Sequence, residues 1–199
     1  MYLYGASGHA KVIIDILAAN GITVDGLIDD NPEVACLCGL PVFHECAGRS
    51  PLIVSIGSNR IRKEIAESLG CRFGVAVHPS AVVSGSCEIG EGTVVMQGAI
   101  LQAGVRVGRH CIVNTGASID HECVLGDFVH VSPHGTLCGN VRVGEGSWIG
   151  AGTTVVPGVR IGAWSVVGAG SVVTRDIPDN VVAYGNPCRV VRLNRRLGK

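Results

Sequence analysis

Stepping six residues at a time from Val77 meets only aliphatic side chains: Val77, Val83, Ile89, Val95, Leu101, Val107, Val113, Ile119, Leu125, Val131, Leu137, Val143, Ile149, Val155, Ile161, Val167 and Val173. An amphipathic helix repeats about every 3.6 residues and a half-buried strand about every 2. A period of six fits neither; it fits a short strand plus a turn, repeated. Two positions before the aliphatic residue the side chain is usually small, as at Ala81, Thr93, Ala99, Ala117, Ser147, Thr153, Ser165 and Ser171. The residue after it is often glycine: Gly90, Gly108, Gly126, Gly144, Gly150, Gly162 and Gly168. The pattern predicts aliphatic residues pointing inward, small residues in tight corners, and glycines freeing the backbone at the turn.

This repeat resembles the hexapeptide-repeat family. The resemblance implies a triangular left-handed parallel β-helix with three hexads per coil and usually a homotrimer. Residues eighteen apart would then stack about one strand spacing (~4.8 Å) apart.

Residues 1–74 follow another pattern. Tyr2-Leu3-Tyr4 reads as a strand, followed by the turn Gly5-Ala6-Ser7-Gly8-His9. Val12, Ile13, Ile16 and Leu17 give helical spacing over residues 10–20, ending at Gly21. Strands are expected over 24–28 and 52–56, and a second helix over 60–69. Alternating strand and helix predicts a small Rossmann-like parallel α/β domain, whose ligands bind beyond the carboxyl ends of the strands. Three polar clusters fall there: Ser7-Gly8-His9, Asp29-Asp30 and Gly57-Ser58-Asn59. Gly5-x-x-Gly8 is not the dinucleotide fingerprint, and alone it reads as a tight strand–helix turn. In this company the helix start can receive phosphate, Asp29, Asp30 or Asn59 can bond a ribose or base, and Arg62 can face a phosphate.

The expected organisation is residues 1–74 for nucleotide-sugar binding, 75–176 for the β-helix, and 177–199 as a tail. Ile177-Pro178 should break the ladder. Beyond it lie Asn186-Pro187, Arg189, Arg192, Arg195, Arg196 and Lys199, a basic stretch suited to an anionic cofactor.

The 199 residues balance 16 basic against 16 acidic side chains. No global positive field is available for nucleic acid or an anionic membrane surface. No run approaches the ~20 apolar residues of a membrane span, and the start lacks the features of a secretory signal. The 9 cysteines form no Cys-x-x-Cys pair. Reduced thiols, no metal site and a cytoplasmic location are therefore expected.

None of His110, His121, His130 and His134 falls on an inward rung, so all can face outward. His121, with Asp120, Glu122 and Asp127 near in sequence, is the best candidate base. One coil on, its stacking partner is Gly139, whose N–H could meet a developing oxyanion. On spacing alone an ordinary surface histidine is the plainer reading.

The run from Asn114 through Ile119-Asp120-His121-Glu122-Cys123 to His130-Val131-Ser132 is similar to UDP-4-amino-sugar N-acetyltransferases of bacillosamine-type glycan biosynthesis. It also resembles the related sialic acid O-acetyltransferases. The likeness extends to the Gly5–His9 turn, Asp29-Asp30 and Ile56-Gly57-Ser58-Asn59. It implies His121 as general base, supported by Glu122, and a Gly139 N–H near the acetyl group. It further implies His130 and Asn114 in the site, and UDP held by the first domain. Acetyl-CoA would lie near His130, Gly139, Gly150, Ala151, Gly168, Ala169, Pro187 and Arg189. Half a coil separates His121 from His130, so one site would need both from adjacent subunits. Ser132-Pro133-His134-Gly135 departs by placing a histidine where many relatives carry a small residue. The expected reaction is N-acetylation of a UDP-linked 4-amino-dideoxy sugar. Sugar O-acetylation, a carbonic-anhydrase-like metalloenzyme and a non-catalytic trimer are the alternatives.

Overall fold

A computed structural model of the chain describes residues 1–194. Arg195, Arg196 and Lys199 of the basic tail lie outside the described residues. β1 (Tyr2–Tyr4) leads into α1 (Gly8–Ala19) and β2 (Gly26–Ile28). A hairpin of β3 (Cys36–Leu37) and β4 (Leu40–Phe43) follows, then β5 (Leu52–Val54) and α2 (Asn59–Ser68). The sheet order is β3-β4-β2-β1-β5, with β1 parallel to both β2 and β5. Strands covered on both faces need continuous apolar runs, and both Gly26-Leu27-Ile28 and Leu52-Ile53-Val54 are buried throughout. The sequence pattern does not reveal the β3–β4 hairpin, whose strands are too short to show a period. Its turn is Cys38-Gly39, both at positive φ, as a two-residue hairpin turn requires.

From Ala76 the chain winds a left-handed parallel β-helix. The predicted eighteen-residue stacking is the observed register: Ile100 pairs with Ser118, and Ser118 with Thr136. Aliphatic rungs such as Val95, Val113, Ile119, Val131, Ile149 and Val173 are completely buried in one core. The small corner residues point inward too. Thr93 Oγ1 donates to the Gly108 carbonyl at 2.8 Å and accepts from the Cys111 N–H at 3.0 Å, tying successive coils together.

The glycine after each rung has a different role from the one expected. The left-handed corner residue lies two positions further on, as at Gly92, Gly104 and Gly116. Gly90 and its equivalents instead let coils approach: a Cβ on Gly90 would stand 2.6 Å from the Gly108 carbonyl carbon. Several left-handed corners carry side chains, among them His110, Glu122, His134, Asn140 and Trp164. The ladder also outlasts Ile177. Ile161 bridges Ile177, and Val167 pairs with Ala183, because one corner is two residues shorter. The strand Arg189–Leu193 then turns back antiparallel on Val181–Tyr184.

The prism has three unlike faces. One presents Glu88, Arg106, Val124, Arg142 and Arg160 outward. The second presents only Val82, Ile100, Ser118, Thr136, Thr154 and Val172. The third carries the α/β domain on its early coils. There Ala76, Val94, Met96 and Ile112 share a core with Leu3, Ile13 and Ile16.

Arg62 fixes the domain junction and is 1% exposed. Its Nε donates to the His110 carbonyl at 2.8 Å, and its terminal nitrogens to the Ile56, Asn59 and Phe128 oxygens at 2.9, 2.8 and 3.0 Å. This corrects the expectation that Arg62 faces a phosphate: a guanidinium whose fork is engaged by buried carbonyls is a structural staple. Asn59 donates to the Gly146 and Ser147 carbonyls, at 3.0 and 3.2 Å, and stays half-buried in the lining of a cavity beside the junction. His110 does not face outward either. It is 3% exposed, stacked on Phe128 and edge-on to Phe73. Among the described residues no helix is long and apolar enough to cross a membrane, and the cysteines are all free thiols.

Candidate active site

His121 stands exposed at the corner between the uncharged and arginine-bearing faces. Its ring covers Gly139 one coil later, so that a Cβ on Gly139 would lie 2.5 Å from Nε2. Glu122 Oε2 lies 3.8 Å from His121 Nδ1 and accepts from Asn140 Nδ2 at 3.4 Å. At 3.8 Å the carboxylate is an electrostatic neighbour of the imidazole rather than a hydrogen-bond partner. The other two acids do not surround the imidazole as the sequence suggested. Asp120 Oδ1 accepts the His121 backbone N–H at 2.8 Å. Asp127 sits on a different corner, clamped by Arg109 through Nε at 3.0 Å and Nη2 at 2.8 Å.

A second cluster lies at the foot of the domain junction. His130 Nε2 meets Asn114 Nδ2 at 3.1 Å. With the amide donating, His130 is neutral and carries its proton on Nδ1. Burial, then the Arg62 charge and His9, pushes His130 down to about 3. His9 is pushed down to about 4 by burial and by Arg62, and its buried Nε2 has no partner among the described residues. Both rings therefore stay uncharged at neutral pH.

Above His130 opens a groove of about 470 Å³. Its wall comprises His130, Gly150, Ala151, Gly168 and Ala169, all proposed for acetyl-CoA, together with Ser132, Pro133, Trp148, Val166 and Val167. Small residues leave room there for a narrow, mostly apolar arm. Pro187 and Arg189 lie in the terminal hairpin and do not line this groove; Arg189 donates to the Cys188 carbonyl at 2.8 Å. His134 is exposed above Gly116 and does not line it either. Trp148 is the main residue that sequence reasoning missed. It occupies an outward rung in register with His130, a position that carries weight only beside the groove the structure shows.

At the strand ends of the first domain, Asp29 Oδ2 accepts the Ala6 N–H at 2.7 Å and Oδ1 the Asn31 N–H at 3.0 Å. Asp29 thus shapes the turn, and Asp30 accepts the Tyr4 hydroxyl at 2.6 Å. Ser7 and Gly8 are exposed at the α1 N-terminus, and the Ser7 side chain makes no capping bond. Gly57 and Ser58 border a second cavity of about 510 Å³. Among the described residues no three His, Cys, Asp or Glu side chains converge as a metal-ligand set.

Residues 1–69 match the family described as the PglD N-terminal domain, and residues 140–175 match the bacterial transferase hexapeptide (six repeats). The chain is 44% identical over 107 residues to UDP-N-acetylbacillosamine N-acetyltransferase of Bacillus subtilis, covering 47% of this chain and 50% of that protein. It is 32% identical over 101 residues to an uncharacterized mimivirus protein, L142, of which it covers 21%. The chain thus spans half or less of the length of these curated relatives. Solved structures match throughout. A histidine mutant of perosamine N-acetyltransferase from Caulobacter crescentus, in complex with CoA and GDP-perosamine, has a TM-score of 0.92 and 41% identity over 96% of this chain and 95% of that one. The acetyltransferase domain of PglB from Neisseria gonorrhoeae, in complex with acetyl coenzyme A, has a TM-score of 0.88 and 39% identity over 96% and 98%. With both domains matched end to end, the chain belongs to the hexapeptide-repeat sugar N-acetyltransferases, left-handed β-helix acyltransferases that carry a PglD-type α/β domain.

Proposed function

We propose that this protein, as a cytoplasmic homotrimer, transfers the acetyl group of acetyl-CoA to the 4-amino group of a nucleotide-linked 4-amino-dideoxy sugar. The stack of the His121 imidazole on Gly139 carries the reading, because it puts a base beside a backbone amide on an exposed corner. The neutral amine attacks the thioester carbonyl, and a tetrahedral oxyanion forms against the Gly139 N–H. His121 takes the proton lost by the amine, and Glu122 steadies the imidazolium. The C–S bond then breaks, and the proton passes to the departing coenzyme thiolate. No covalent enzyme intermediate is required.

The uncharged face supports the trimer. It lacks charged outward side chains and, unlike the equally uncharged third face, does not carry the α/β domain; it is bounded by the His121 corner on one edge and the Gly150–Gly168 corner on the other. Packing three such faces about one axis brings the first corner of one subunit to the second corner of its neighbour. The coenzyme arm would then lie in the 470 Å³ groove, with Pro187 and Arg189 closing its far end. The sugar nucleotide would lie over Ser7, Gly8, His9, Asp30, Gly57 and Ser58, with its hexose on the domain-bearing face of the β-helix, beside the Asn114–His130–Trp148 cluster.

UDP is the nucleotide named for the Bacillus subtilis relative, whereas the solved Caulobacter crescentus protein carries GDP-perosamine. The second match covers nearly the whole chain, so a GDP-linked sugar is the second reading. Thiol release from acetyl-CoA, assayed across UDP- and GDP-linked 4-amino sugars, tests both. Turnover with either supports acetyl transfer and names the nucleotide. Release with no sugar in the panel overturns it.

A further inference from the structure

Along the domain-bearing face the outward side chains run His130, Trp148, Val166 and Val182 in register. The Trp148 ring lies nearly parallel to His130, with centroids 5.8 Å apart and 11° between planes. Its Nε1–H donates to Ser132 Oγ at 2.6 Å. One face and one edge of the indole are thereby fixed. The opposite face looks toward Val166, a much smaller side chain, and the residue is 47% exposed. Two strand spacings, about 9–10 Å, separate the Trp148 and Val182 backbones. That leaves a slot one ring deep above the indole.

Both cavities open onto this slot. Trp148 and Val166 line the 470 Å³ groove and also the 510 Å³ cavity. The larger cavity has an apolar wall of Trp164 and Val182 and a polar rim that includes Ser58, Arg192 and Asn194. This is the arrangement a deoxy-hexose requires. Its hydroxyls and the diphosphate need polar partners, while its C–H face and methyl group need an apolar floor. The negative face of an indole attracts the weakly positive C–H groups of such a ring.

We propose that Trp148 determines sugar specificity, carrying the pyranose ring of the amino sugar on its free indole face while its edge borders the coenzyme groove. The inference rests on the acetyl-transfer reading above and adds the residue that seats the acceptor. Val166 belongs to the device, because only a short side chain there keeps the slot open.

Two measurements made together test it. Steady-state kinetics of Trp148→Ala, Trp148→Phe and Val166→Phe separate the two substrates. Trp148→Ala and Val166→Phe should each raise KM for the nucleotide amino sugar about tenfold or more, and by a larger factor than they raise KM for acetyl-CoA, whose groove both residues also line. Trp148→Phe should recover most of the loss. A rise confined to acetyl-CoA would assign the slot to the coenzyme's own ring and overturn the proposal. Unchanged sugar KM in Val166→Phe overturns it even if Trp148→Ala fails to fold. The second measurement is the emission of Trp148, one of 2 tryptophans, taken as the difference between the wild type and Trp148→Phe. Titration with the nucleotide amino sugar should change it. A change without turnover in the wild type would sink the acetyl-transfer reading and leave the sugar seat standing. Turnover without a change would sink the seat alone, and neither signal would sink both.

Discussion

The imidazole of His121 occupies the space that any side chain at Gly139 would need, with Nε2 2.5 Å from the site of its missing Cβ. Only glycine allows the imidazole and the backbone amide to share one corner. Gly139→Ala should therefore push the ring aside and lower kcat about a hundredfold through misplacement of the base. His121→Ala should cost about 10²–10⁴-fold in kcat. Because both changes remove the same arrangement, the double variant should be little worse than His121→Ala alone. Multiplicative losses in kcat would show that the two residues act separately.

Glu122 holds a left-handed corner at φ 58, where Gly104 one coil earlier stands at φ 72 and Gly158 two coils later at φ 76. A glutamate there carries backbone strain that a glycine would not. Relief of roughly 1–2 kcal/mol of left-handed strain exceeds glycine's entropy cost of roughly 0.5–1 kcal/mol, so Glu122→Gly should raise the unfolding free energy and, on the proposed mechanism, lower kcat about tenfold. Chemical denaturation and turnover on the same preparation check both signs. A variant that loses stability and keeps full activity would make Glu122 an ordinary corner residue.

The β-helix was legible because its inward rungs obey one rule from Val77 to Val173, and a triangular coil has no other use for that period. The outward residues obey no such rule. Arg62 and Asn59 read as ligand contacts because they follow a strand end, yet the coils at Phe128 and Gly146 claim their hydrogen-bonding groups. Asp127 read as a neighbour of His121, but six residues carry the chain round to the next corner, where Arg109 holds it. Trp148 was passed over because an aromatic on an outward rung signals nothing until the cavities beside it are seen. Spacing tells which residues stack; it does not tell which are already engaged by the other domain.

Three histidines at the domain junction make stability depend on acid. Burial and the Arg62 charge push His9 and His110 down to about 4, and burial with Arg62 and His9 pushes His130 to about 3. In the unfolded chain each returns to about 6.5. The unfolded state thus binds more protons between those values. Stability should hold above about pH 6.5 and fall as pH drops toward about 4, by up to roughly 1.4 kcal/mol per pH unit for each histidine. His110→Phe, which keeps the ring between Phe73 and Phe128, should make the fall shallower. Denaturation midpoints measured from pH 7.5 to 4.5 give the slope. An identical slope in this variant would mean that His110 does not carry its share.

Subunit pairing can be read without a structure of the trimer. If the His121 corner of one subunit serves the His130 groove of its neighbour, a site fails when either residue is missing from the proper subunit. His121→Ala and His130→Ala homotrimers should each be nearly inactive. Trimers assembled from equal amounts of both chains should then place an intact pair at roughly a quarter of their sites, and recover roughly that share of wild-type turnover. A charge on the uncharged face removes the basis for the recovery. Thr136→Arg with Thr154→Arg buries four-bond-long cations in a packed apolar contact, so mixed chains carrying both should sediment as monomers and stay inactive. No recovery in unmodified mixed trimers would put His121 and His130 to work within one subunit, and a fully active His130→Ala homotrimer would leave His130 outside the reaction.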